Sequence, residues 1–350
     1  MSSTLAPPPL RWDGARLHVL DQTRLPASEE VLVLECAEDT ARAIERLSVR
    51  GAPLIGVAAA FGLAMEVARE PSLGALERGA GRLATCRPTA RNLAWAVERV
   101  RAAALAAGPV GLAAAARAAA EEIQREDEAA SAALGEHGAA LLDEALPRRA
   151  GAAEPRPLTI LTHCNSGCLA ASGRGTGLGV IAALAERRPV RVLACEARPL
   201  LQGARLTVWE LGRLGIEHAL VVDAAAPGLI RTGQVDAVVT GLDRVAANGD
   251  VANKVGTYGL ALAAGAAGVP FVAAGPSSSI DRSLPAGDAI EIEERGADEV
   301  RAAGGSLLTV PGTPVRNPAF DVTPAALVWA LVTERGVARP VDAAAVAAVA

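Results

Sequence analysis

Cys164 stands in the run His163-Cys164-Asn165-Ser166-Gly167, between an apolar stretch and a glycine-rich one. A thiol at the amino end of a helix has a lowered pKa and works as a base or nucleophile. A lone cysteine is otherwise a small buried residue, and the pattern around Cys164 is compatible with either role. Cys168 and Cys195 read as buried. Asp243, in Gly241-Leu242-Asp243-Arg244, follows the apolar run Val235 to Thr240. A carboxyl enclosed at a strand end stays partly protonated by desolvation and can act as a general acid. An ion pair with Arg244 or a turn cap explains it equally well. Asp250 is a weaker candidate of the same kind.

Three further groups point to an anion. Arg50-Gly51-Ala52-Pro53 opens a helix, and Pro53 suits a first turn where its missing N–H has no partner to lose. Free N–H groups beside a guanidinium form an anion site. Arg87-Pro88-Thr89 opens the next helix in the same manner, and Asn253-Lys254 is expected at the start of the helix after Asp243. Together they indicate a phosphorylated ligand held without a metal. His163 raises the question of zinc, but no compact set of four ligands is visible among only four histidines. Gly173 to Gly179 resembles a dinucleotide loop, with Glu196 in place of the ribose-binding acid. Leu178 occupies the position of the third glycine, so the required spacing is missing. Gly135-Glu136-His137-Gly138 predicts a helix break with a hydrogen-bonded histidine. Asn317 to Pro324 predicts a helix start with Thr323 as N-cap.

These residues need positioning elements. Short strand-like runs at Arg16 to Leu20 and Val31 to Leu34 predict a small antiparallel sheet. Helical patterns follow at Thr40 to Ser48, Pro53 to Arg69, Thr89 to Ala107 and Gly111 to Leu146. The stretch Pro147 to Pro157 reads as a linker. The expected domains are therefore 1–146, mainly helical with a small β piece, and 147–350. In the second, strands near Leu158 to Thr162, Val190 to Cys195, Ala219 to Val222, Val235 to Thr240 and Pro270 to Ala274 alternate with helices. The expected fold class is α/β, with a parallel sheet flanked by helices. Ligands of such sheets bind beyond the carboxyl ends of the strands, where Cys164 and Asp243 fall.

Composition narrows the function. The net charge of -5 leaves no footprint for general nucleic-acid binding. Five cysteines without a CxxC pair argue against a disulfide framework and for a reduced, cytoplasmic setting. The first residues lack the basic start and apolar run of a signal peptide. The uncharged stretch Val255 to Ile280 is broken by Gly and Pro, so it reads as a buried helix followed by a buried strand, with no membrane partner.

Seven blocks in order carry a specific resemblance: VRGAPLIGVAAAFGLA (49–64), RPTARNLAWA (87–96), GEHGAALL (135–142), LTHCNSGCLA (161–170), EARPLLQGARLT (196–207), GLDRVAANGDVANKVGT (241–257) and NPAFDVTP (317–324). The chain resembles the methylthioribose-1-phosphate isomerase family over about residues 12 to 336. The resemblance implies conversion of 5-methylthioribose 1-phosphate to 5-methylthioribulose 1-phosphate in methionine salvage. It implies no cofactor, and a homodimer whose subunits carry an N-terminal helical domain and a Rossmann-like C-terminal domain. It assigns Cys164 and Asp243 as catalytic, and Arg50, Gly51, Ala52, Arg87, Gln202, Asn253 and Lys254 as substrate contacts. Ser166 and Cys168 depart mildly from the family's cysteine block. The same fold serves ribose-1,5-bisphosphate isomerase and the regulatory subunits of a translation nucleotide-exchange factor. Retention of Cys164 and Asp243 argues against the regulatory class. A nicotinamide-dependent dehydrogenase is a distant third reading.

Overall fold

The computed structural model describes residues 8–87, 91–146 and 156–350. The expected linker from Pro147 and the Pro88-Thr89 helix start lie largely outside these residues.

The first half opens with a three-stranded antiparallel sheet, Leu10–Trp12, Leu17–Leu20 and Val31–Leu34. Helices Ala37–Glu45, Ala52–Arg69 and Leu73–Ala84 follow. Ala52–Arg69 is apolar on every side and long enough to cross a membrane, yet here it is the central core helix. Its Phe61 ring stacks on Trp12 with centroids 4.8 Å apart. Leu73–Ala84 was not expected, because three glycines weaken its helical pattern. Packing decides instead: a Cβ at Gly79 would lie 3.0 Å from Leu63.

From Arg91 two helices, 91–107 and 109–145, meet at Gly108, whose φ of 69° and the following Pro109 make the kink. The expected break at Gly135 does not occur. There the glycines admit close contact with the helix Gly177–Arg187: a Cβ at Gly138 would come within 2.5 Å of Val180. His137 is hydrogen-bonded as expected, to the carbonyl of Thr333 at 3.0 Å, but from within an unbroken helix.

The second half is built on a seven-stranded sheet. Its order is Gly336–Ala338, Ala330–Thr333, Phe271–Ala274, Ala237–Thr240, Leu158–Thr162, Val190–Cys195, Glu217–Val221. Every pair is parallel except that of the edge strand Gly336–Ala338. Ala330–Thr333 and Gly336–Ala338 were not foreseen. The chain builds outward from Leu158–Thr162 in one direction, then returns to place Ala237–Thr240 on its other side. Between these two strands the winding reverses, and a crevice opens at their carboxyl ends.

A four-stranded sheet, Ile280–Asp281, Arg244–Ala246, Val251–Lys254 and Phe320–Thr323, covers that end. Two expectations change here. Phe320–Thr323 is a strand paired antiparallel with Val251–Lys254, Phe320 opposite Lys254, so Thr323 caps no α-helix. Asn253 and Lys254 end a strand, and the helix Thr257–Ala267 begins three residues later. That helix buries only one side, through Thr257, Leu260, Ala261 and Ala264, while Tyr258 and Leu262 are exposed. The strand after it is fully buried.

Candidate active site

Cys164 and Asp243 flank the crevice from its two sides, each just beyond a strand end. The chain turns sharply at Cys164, with φ of 61°. Its carbonyl accepts a 2.6 Å hydrogen bond from Thr207 Oγ1. Cys164 is not at a helix terminus. The helix begins at Gly177, and its Leu178 N–H is held by Ser166 Oγ at 3.1 Å. The expected lowering of the thiol pKa is therefore corrected: burial pushes it up, against the pull of Lys254 and Arg50. The helix start also turns inward, with Thr176 N–H and Leu178 N–H both donating to Ser166, which argues further against the dinucleotide-loop reading.

Asp243 is enclosed, and burial raises its carboxyl pKa against the opposing charges of Lys254, Arg87 and Arg50. It makes no ion pair with Arg244, whose Nε lies 3.8 Å from Asp281. Its own N–H donates to Ala252 O at 2.9 Å, which ties it to the covering sheet. Asp250 faces away, accepting from Gly287 N–H and Ala325 N–H.

Arg50 reaches the crevice from the helical half. Its Nε donates to Gln22 Oε1 and its Nη1 to Asn165 O, both at 2.9 Å, while Nη2 is buried without a hydrogen-bond partner. Gly51 has φ of 96°, and a Cβ there would lie 2.4 Å from Ala170 Cα, so only glycine lets the helix start approach the cysteine loop. Leu54 N–H donates to Ala170 O, which leaves the guanidinium as the principal anion group. Arg87 donates to Glu293 at 3.3 Å, and its Nε is buried without a hydrogen bond. Lys254 Nζ donates to Ala319 O at 2.9 Å and lies 5.0 Å from the Phe320 ring centroid. Burial depresses its pKa, and Cys164 and Asp243 oppose that. Asn253 Nδ2 donates to Thr257 Oγ1 at 3.0 Å. Gln202, at the start of the turn Gly203–Thr207, has a buried Oε1 with no partner.

Five cationic side chains, Arg50, Arg87, Arg244, Lys254 and Arg295, thus share one cavity with two acids biased toward their neutral forms and several unmatched polar atoms. Such a place suits a dianionic ligand, and a protonated carboxyl beside it can deliver a proton. A second cluster lies beneath. His163 Nδ1, Cys195 Sγ and an Asp223 oxygen fall within 4.8 Å of one another. Three donors are one short of a closed zinc site, and Asp223 already accepts from the N–H groups of Ala197 and Arg198.

Comparison with known proteins identifies relatives of nearly the whole chain. The profile of the Initiation factor 2 subunit family matches residues 48–340. The methylthioribose-1-phosphate isomerase of Anaeromyxobacter sp. (strain Fw109-5) is 50% identical over 339 residues, covering 95% of this chain and 96% of its own. The chain belongs to the methylthioribose-1-phosphate isomerase family. It is an isomerase. The crystal structure of 5-methylthioribose 1-phosphate isomerase from Pyrococcus horikoshii OT3 superposes with a TM-score of 0.87 at 36% identity, covering 99% of this chain and 96% of that one. A structure described as translation initiation factor eIF-2B, subunit delta, from A. fulgidus gives 0.81 at 36% identity, covering 96% of each.

Arg50, Gly51, Ala52, Arg87, Cys164, Gln202, Asp243, Asn253 and Lys254 all line this cavity of the isomerase, whereas the weaker candidate Asp250 does not. Sequence reasoning missed the wall formed by Ile290, Glu291, Ile292 and Arg295, with Leu47 and Leu200. The 290–295 segment has no regular period and no motif. Glu210 was missed as well. It is a buried carboxylate under the cysteine loop, and the only signal was a charge in an otherwise apolar helix start.

Proposed function

We propose that this chain isomerises 5-methylthioribose 1-phosphate to 5-methylthioribulose 1-phosphate, the aldose-to-ketose step of methionine salvage. The observation that carries the reading is the pairing of an enclosed, neutral-leaning Asp243 with the buried cations Arg50 and Lys254 in a single crevice. The sugar's anomeric carbon bears phosphate, so the ring cannot open spontaneously to an aldehyde. Asp243 protonates the ring oxygen as its bond to C1 breaks, leaving an oxocarbenium character at C1. The hydrogen on C2 then moves to C1, and the C2 hydroxyl loses its proton to become the ketone. Arg50, Lys254, Asn253, Gln202, Arg87 and the backbone at Gly51 and Ala52 hold the sugar phosphate.

Cys164 assists the hydrogen transfer. Burial favours its thiol over its thiolate, which supports a direct hydride shift from C2 to C1 with the neutral thiol lining the path, over removal of the C2 proton by a thiolate. In heavy water the product is expected to carry no deuterium at C1, and deuterium there would establish the proton-abstraction route through an enediolate.

A single phosphate fits the charge pattern better than two. Arg87 and Arg295 both pair with Glu293, and Arg244 faces Asp281. Leu47, Leu200, Ile290, Ile292 and Phe320 supply apolar lining suited to a methylthio group. Phosphorus and proton NMR with 5-methylthioribose 1-phosphate and, separately, ribose 1,5-bisphosphate tests the proposal. Turnover of the first alone is expected. Turnover of neither by folded protein would favour a regulatory role like that named for the A. fulgidus neighbour.

A further inference from the structure

Asn165 is 5% exposed and lines the crevice between Cys164 and Ser166. Both hydrogens of its amide nitrogen are used: Nδ2 donates to Glu210 Oε1 at 2.6 Å and to Thr207 Oγ1 at 3.2 Å. Its backbone carbonyl accepts from Arg50 Nη1. Its side-chain carbonyl, Oδ1, is buried and accepts nothing. A buried acceptor left alone is unfavourable, so the arrangement calls for a donor that arrives with the ligand. A phosphate oxygen only accepts and a thioether has no proton to give, which leaves a sugar hydroxyl as the matching group.

Glu210 explains why the amide cannot turn over. It is 3% exposed; burial raises its pKa, while the carboxylate form is favoured by the hydrogen bonds it accepts from Asn165 Nδ2, from Cys168 N–H at 2.7 Å and from Leu169 N–H at 3.4 Å, and by the charge of Arg50. A rotated Asn165 would set its carbonyl against a carboxylate oxygen. The approach is close enough that a Cβ at Gly167 would fall 2.1 Å from Glu210 Oε2, so the loop needs glycine there. The same carboxylate thus sets the loop's path and the direction of the Asn165 amide.

We propose that Asn165 accepts a hydrogen bond from a hydroxyl of the bound sugar phosphate, and that Glu210 is the positioning residue that fixes the amide in that orientation. The inference rests on the isomerase reading above. Neither residue reacts; Asn165 touches the substrate and Glu210 acts through it.

A donor–acceptor exchange tests the pair in the full-length protein. Asn165→Ala is expected to lower kcat/KM for 5-methylthioribose 1-phosphate by about 10- to 100-fold, while circular dichroism and Tm show a folded chain. Glu210→Gln lets the amide turn and lowers kcat/KM in the same range. Asn165→Asp sets two carboxyls together and is lower still. In the double variant Asn165→Asp/Glu210→Gln the donor is on residue 210 and the acceptors on residue 165, with the local charge conserved, so kcat/KM recovers at least about tenfold over Asn165→Asp. A purely structural role for Glu210 would shift Tm and leave the kinetics of the folded fraction unchanged. If Asn165→Ala stays within about threefold of the parent, or the double variant is no better than the product of the singles, the assignment is overturned. Asn165→Ala keeps the test open should Glu210→Gln not fold, because Glu210 then retains its backbone partners. A parent protein that fails to turn over the sugar phosphate strikes the isomerase reading, and an active parent with an indifferent Asn165→Ala strikes only this inference.

Discussion

Two clefts lie between the helical half of the chain and its sheet half, and arginines line both. In the first, Arg50 Nη2, Arg87 Nε and Arg244 Nε are buried without hydrogen bonds, beside Cys164 and Asp243. In the second, three of the four arginines are hydrogen-bonded: Arg99 forks onto Glu126, Arg91 donates to Ser278 O at 3.1 Å, and Arg335 Nη1 donates to Ala350 O. Counting cations would not separate the two clefts. Unspent donors do, because a buried guanidinium N–H without an acceptor is costly until a ligand supplies one.

The sharpest way to break this contrast is at the acid. Asp243→Asn keeps the shape of the side chain and removes the transferable proton, so kcat should fall about 1000-fold with Tm preserved. Near-normal turnover would remove Asp243 from the chemistry. Next comes the comparison of the two clefts themselves. Arg50→Ala should lower kcat/KM about 100-fold, since it deletes a buried charge that awaits an anion. Arg99→Ala, whose charge is already paired, should change it less than about twofold. Equal losses would mean that matched and unmatched arginines are not functionally distinct.

A pH profile sharpens the comparison further. Because the Asp243 pKa is raised, its acid form persists above the usual carboxylate range and is lost as pH climbs through the shifted value. Activity should therefore decline on the alkaline side of that value, by about tenfold per pH unit once past it. The residual activity of Asp243→Asn should lack this limb. The second cleft has its own half-buried acid, with consequences for stability instead. Asp127 is pushed up to about 6, burial being the main cause, opposed by the hydrogen bond from Ser172 N–H. A folded-state pKa above the unfolded one makes the native chain the stronger proton binder. The contribution of this one group to stability is then fully present below about pH 4 and is lost as pH rises through about 6. The loss amounts to about 2 to 3 kcal/mol. Asp127→Asn should remove that slope from chemical denaturation curves measured between pH 4 and 8, with little effect on turnover.

Much of the site was legible because strand ends are legible. Apolar runs followed at once by Cys164 and by Asp243 could be read as neighbours on one sheet edge, and the covering sheet brings Asn253 and Lys254 to the same place. What failed depended on contacts between distant segments. Gly135 and Gly138 look like a break, and only the flank of the helix Gly177–Arg187 reveals them as a packing surface. The segment Asn317 to Pro324 has the composition of a helix cap, but pairing with Val251–Lys254 makes its centre a strand. The thiol of Cys164 was read from its neighbours in sequence, whereas its pKa direction is set by burial, which outweighs the opposing charges of Lys254 and Arg50 from elsewhere in the chain. Asn165 and Glu210 are 45 positions apart, and no local pattern announces that one holds the other.

The helix 109–145 belongs to both halves at once. Leu112, Ala116, Ala120 and Ile123 pack into the core of the helical half, and Leu134, Ala139 and Leu142 pack against the sheet. One rigid rod is thus cemented into two foundations. Severing the chain just after it would strip the rod's second half of its seat and expose an oily stripe, so each half inherits its solubility from the other. Modular exchange of either half with a foreign one would have to re-cut a whole face of this rod, which makes the two halves a single unit of inheritance as well as of folding.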